Sequence, residues 1–152
     1  MTMAAFQMNM IQPNNLPGLC MNPAVNVIQA RINPSSTQAT FLPGQAVVFS
    51  PTVVGQLPVI DYCPSGSSGR GVVIYDPILS SQLPNGVVLV AMLGSIVTMQ
   101  AATAVNRQVN VGYNNVSGYV QSTSGGYIGY TLDIAVNVGD IVRVQIDPLL
   151  SA

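Results

Sequence analysis

The chain has no histidine, lysine, glutamate or tryptophan, and four arginines with five aspartates carry all of its side-chain charge. Without histidine there is no ordinary general base for a Ser-His-Asp arrangement, so Ser124-Gly125-Gly126 cannot be the end of a serine-hydrolase motif. The glycine-rich run PSGSSGRG (64–71) lacks the Gly-Lys-Ser/Thr that cradles phosphate and reads as a loop. Four scattered arginines cannot form the basic stripe that phosphate neutralisation requires, so no nucleic-acid partner is expected. Charged residues make up 6% of the 152 residues, where soluble domains carry about 25%. Solubility must then come from Asn, Gln, Ser, Thr and exposed backbone. A net charge of −1 leaves little to keep molecules apart, so the surface is expected to be partly covered in use.

Two cysteines, Cys20 and Cys63, are too few for a disulfide framework and have no histidine beside them for zinc. They read as small buried or half-buried thiols, with one disulfide as the alternative. The start, MTMAAFQMNMIQPNN, has no cationic region and its apolar stretch is broken by Gln and Asn, so cytoplasmic synthesis is expected and the sequon at Asn115 is accidental. The uncharged run Gly86 to Val105 has the length of a membrane-spanning helix. Gly94-Ser95 at its centre, Thr98, Gln100 and Thr103 within it and no Lys/Arg cluster at its ends argue against spanning. It parses better as two strands, 87–92 and 95–100, joined at Leu93-Gly94-Ser95.

Residues 1–39 differ from the rest in their Met, Pro, Asn and Gln content, and proline at that density breaks both helix and central strand. They read as an extended N-terminal arm, with a short strand at 25–31. Its apolar side chains Phe6, Met8, Met10, Ile11, Leu16, Leu19 and Met21 call for a receiving surface, and flexible methionine suits an irregular one. Packing of the arm on its own domain is the competing reading. From residue 40 to 152, Gly and Pro punctuation separates short Val/Ile-rich runs. Strands are expected at 45–50, 57–61, 70–75, 87–92, 95–100, 107–112, 116–121, 127–133 and 140–146, in an all-β, compact antiparallel barrel or sandwich.

Each of Asp61, Asp76, Asp140 and Asp147 falls at an expected strand end or turn, where a short carboxylate bonds nearby backbone N–H groups. Turn formation therefore outweighs catalysis or calcium binding, and no metal or cofactor is expected. Tyr127 and Tyr130 lie on opposite faces of one strand, so at most one is core. In NVGDIVRVQIDP (137–148), Val142, Val144 and Ile146 share the buried face. Arg143 lies on the other as a candidate intersubunit ion-pair partner, alongside Asp133 on the preceding strand.

The order of these segments resembles the capsid cement, or head decoration, proteins of tailed bacteriophages. The likeness is carried by Pro43-Gly44, Pro58-Val59-Ile60-Asp61, Cys63, Gly71-Val72-Val73-Ile74-Tyr75, Ile128-Gly129-Tyr130-Thr131-Leu132-Asp133 and Gly139-Asp140-Ile141-Val142-Arg143-Val144, across about residues 40–148. The Pro- and Met-rich arm, the stretch 76–82 and the scarcity of charge depart from that family. The resemblance implies a non-enzymatic virion protein, often trimeric, that clamps neighbouring major capsid protein subunits on the outside of the shell, with no membrane or nucleic-acid partner. The alternative is a β-rich adhesin or carbohydrate-binding module displayed on the virion, with tyrosines stacking on sugar.

Overall fold

The computed structural model describes residues 16–22, 25–34, 41–51, 57–64, 67–75, 86–114, 119–122 and 126–147, and every regular element among them is a strand. The strands are β1 (Val27–Ile32), β2 (Ala46–Phe49), β3 (Val59–Tyr62), β4 (Gly71–Val73), β5 (Val87–Ala91), β6 (Ile96–Gln100), β7 (Asn110–Asn114), β8 (Tyr119–Ser122), β9 (Tyr127–Thr131) and β10 (Ile141–Ile146). The chain is all-β, as its punctuation predicts.

The first five strands close into a barrel in the order β1-β3-β2-β4-β5, with β1 and β3 parallel and the other neighbours antiparallel. The last five form an antiparallel sheet in the order β6-β10-β9-β7-β8. Strand β1 lies within the residues assigned to the arm. Its Val27–Arg31 register with β5 and its parallel pairing with β3 are what close the barrel.

Alternation along the strands creates two cores. Ala30, Ile32, Phe41, Val47, Ile60, Val73, Val88 and Val90 fill the barrel. Their neighbours Ala46, Val72 and Ala91 point the other way and meet Val97, Met99, Val111, Val120, Ile128, Val142, Val144 and Ile146 of the second sheet. Strands β2, β4 and β5 are thus the shared wall, buried on both faces, which is why AVVF, GVV and VVLVA read as continuous apolar runs. The run that resembles a membrane span is β5 and β6, turned at Gly94 with φ of 89°.

The second sheet has a free edge on β6. Ile96, Thr98 and Ala102 turn their backbone groups toward it, while Ala101 bonds to Gly139 and Asp140 on the β10 side. Strand β8 reaches that edge only at its end, where the Ala102 N–H donates to the Val120 carbonyl at 2.7 Å. The remaining length is filled by residues 16–22. Gly18 N–H donates to Thr98 O (2.7 Å), Thr98 N–H to Leu19 O (3.0 Å), and Met21 N–H to Ile96 O (2.8 Å).

Strand β7 begins at Asn110, later than the spacing predicts. The buried Thr131 hydroxyl donates to Asn106 O at 2.6 Å and accepts from Val109 N–H at 3.3 Å, holding 106–109 in a turn.

Candidate docking face at the seam of the two sheets

Thr98 is fully buried in the middle of β6, and its hydroxyl has two partners on the incoming segment. It accepts from Leu19 N–H at 2.9 Å and donates to Leu16 O at 2.6 Å. Asn22 closes the other end: its Oδ1 accepts from Ile96 N–H at 2.7 Å and its Nδ2 donates to Gly94 O at 3.2 Å. Residues 16–22 therefore run antiparallel to β6, and Leu16 is the end to which residues 1–15 are joined.

On its other side this segment meets the barrel. Leu-Pro-Gly occurs at 16–18 and again at 42–44, and the two turns pack against each other. Gly18 and Gly44 both have positive φ, 81° and 92°. A Cβ on Gly18 would strike the Pro43 ring, and one on Gly44 would meet the Pro17 ring at 2.9 Å. Glycine is required at both crossings for conformation and for space. The Tyr75 N–H donates to Gly18 O at 2.7 Å, and the Gly44 N–H to Val73 O at 2.7 Å, so the crossing is fixed to β4 as well. Its outer surface is apolar: Leu16, Leu42 and Tyr75 are 55%, 54% and 51% exposed.

A second exposed apolar group lies on the β9–β10 connection, which bonds to Ala101 just past the end of β6. Ile134, Val136 and Val138 point outward while Ala135 is buried and exchanges two backbone bonds with Val105 (2.9 and 3.0 Å). The Asp140 carboxylate accepts from both Val136 N–H and Asn137 N–H at 2.9 Å, acting as the turn former its position predicts.

Of the predicted site residues, Phe6, Met8, Met10 and Ile11 lie outside the described residues. Leu16 and Met21 are exposed and Leu19 is half-buried, all on the segment that fills the β6 edge. Arg143 is on the outward face of β10 and is engaged within its own chain. Its Nη2 lies 2.7 Å from Asp133 Oδ1 and its Nε 2.9 Å from Asp133 Oδ2. The hydrogen bonds from Arg143 hold the Asp133 carboxyl below the usual carboxylate range, and the same bonds raise Arg143. Leu42 and Thr98 are not marked as site residues by the sequence, and Tyr75 is marked only as one of six tyrosines suggestive of binding; the repeated Leu-Pro-Gly is the signal for Leu42.

Burial pushes the Cys63 thiol up to about 11 and the Tyr113 phenol up to about 12, so both are neutral at physiological pH. Cys20, half-buried, is also raised chiefly by burial, and both thiols are free. Among the described residues no three His, Cys, Asp or Glu side chains converge as metal ligands would. Asp61, expected at a turn, accepts from Asn33 Nδ2 at 2.9 Å and ties β3 to the end of β1.

No protein-family model matches the sequence, and no curated protein matches it. Among solved structures, the fold is similar to the head fiber gp8.5 N base in bacteriophage phi29, with a TM-score of 0.53 and 16% sequence identity. The match spans 80% of this chain and 93% of that one. At that identity the likeness is one of fold, and it takes in nearly the whole of the phage domain.

Proposed function

We propose that the protein is a non-enzymatic structural component of a bacteriophage head, seated on the outside of the shell, where it clamps neighbouring major capsid protein subunits. The observation that carries this reading is the fold likeness to a head fiber base over 93% of that chain. The composition is consistent with it, since a body with 6% charged residues is suited to standing against other protein. The resemblance to decoration proteins adds a homotrimer to the proposal. A protein that binds only the assembled, expanded lattice stabilises that lattice by its binding free energy. Several modest contacts joined in one chain hold longer than any of them alone.

The arm, with Phe6, Met8, Met10 and Ile11, is the proposed reach toward the coat subunits. Since 16–22 and β1 are built into the body, the informative deletion is residues 1–15. A sugar-binding reading has less support among the described tyrosines. Tyr113 is buried, Tyr130 donates its hydroxyl to Gln145 Oε1 at 2.8 Å, and Tyr75 alone is more than half exposed, which makes no stacking platform.

The test adds purified protein to expanded shells lacking any decoration protein and pellets them. Co-pelleting with a raised shell melting temperature is expected. Protein left in the supernatant, with shell melting unchanged, would refute the reading.

A further inference from the structure

Resting on that reading, we propose that the coat subunit docks on the seam patch of Leu16, Leu42 and Tyr75, and not on the equally apolar tip formed by Ile134, Val136 and Val138. Three features single out the seam. First, the residues proposed to reach the coat subunit join the described chain there: Leu16 is a patch residue, and Ile11, five residues upstream, lies at most ~18 Å of extended chain away. Whatever those residues grip is held within that distance of the patch. Second, the patch is rigid, since both Leu-Pro-Gly turns are pinned by backbone bonds to β4 and β6. A fixed surface loses little conformational freedom on binding.

Third, the patch is small. Three half-exposed side chains offer on the order of 300 Å², well below the roughly 800 Å² per partner of a stable pairing. It is undersized for joining two copies of the chain by itself and suits a contact that supplements a bound arm.

The full chain is compared on shells with a Leu42→Ser/Tyr75→Ser variant and a Val136→Ser/Val138→Ser variant. All four positions are exposed, so their melting temperatures should match the parent. The seam variant is expected to lose about tenfold or more in affinity, and the tip variant to stay within about twofold. A seam variant that binds like the parent, or a tip variant that loses binding instead, would overturn the assignment. A photo-crosslinking residue at position 75 gives a readout independent of those variants: adducts to the coat subunit are expected, and adducts only to a second copy of this chain would overturn it. Failure of the parent protein itself to pellet would refute the head reading, which the variant comparison leaves separate.

Discussion

The two sheets solve the same edge problem differently. In the barrel every strand has two neighbours, with β1 joining β3 on one side and β5 on the other, so no row of backbone groups is left open. The second sheet stops short of closure, because β8 meets only the end of β6, and the gap is filled by seven residues of the N-terminal segment. The barrel is self-contained, whereas the second sheet depends on chain from before β1. The arm's root is therefore part of the architecture, and the proposed docking element starts from a fixed point.

The largest effects should come from the shared core. Met99 is fully buried between the sheets, and Ile60 is fully buried inside the barrel. Each change to alanine should cost about 2–5 kcal/mol by lost burial and a residual cavity. They should differ in reach: native-state hydrogen exchange of Met99→Ala should rise in both sheets, and that of Ile60→Ala should rise mainly in β1–β5. Equal patterns would mean that the two cores open as one.

Next in size is Thr98→Val, nearly the same shape without the hydroxyl. It strands the Leu19 N–H and the Leu16 carbonyl at a buried edge, for about 1–3 kcal/mol. Faster amide exchange should be confined to 16–22 and the β6 edge, with the barrel unchanged. Uniform acceleration would show that the barrel too relies on this segment.

How much of this was legible in the sequence depends on whether one face or two is buried. Strand β10 was fully readable, because VRVQI alternates and its observed burial follows that alternation. The division into a barrel and a second sheet was not, because β2, β4 and β5 bury both faces and lose the period that would tell inside from outside. The place of β1 was hidden for another reason: Val27–Ile32 is flanked by prolines at 23 and 34, which mark it as arm, while its partner β3 lies more than twenty residues further on. Thr98 counted in sequence only as a polar interruption of an apolar run, and its role needs the spatial neighbour Leu16 to be seen. The Asp133–Arg143 pair was named correctly but is made inside one chain.

A smaller effect separates the shared core from the rest by pH. Cys63 and Tyr113 have raised pKa values, so the folded state favours their neutral forms. Their contribution is complete below the ordinary values of 9.0 and 10.0 and is lost as pH rises toward about 11 and about 12. Melting temperature should begin to fall near pH 9, and the Cys20→Ala/Cys63→Ala double variant, which removes both raised thiols, should delay that onset by about one unit, into the tyrosine range. An unchanged onset would mean that the thiols ionise without opening the core.

The smallest effect belongs to the ion pair on the outward face of the second sheet. Arg143 and Asp133 are both partly exposed, so solvent screens them and Asp133→Asn should cost no more than about 1 kcal/mol despite the two-pronged geometry. The carboxyl is held low in the folded protein, first by the side-chain hydrogen bond from Arg143. Its contribution is therefore present above the unfolded carboxylate value of about 4 and disappears as pH falls through the lowered native value. The melting difference between parent and variant should persist at pH 7 and vanish in acid, and it should shrink in 1 M salt. A difference that survived in acid would have to come from a neutral side chain. The candidate is the bond from the Arg143 backbone N–H to Asp133 Oδ2 at 2.9 Å, and Arg143→Met, which keeps that N–H, would then cost almost nothing.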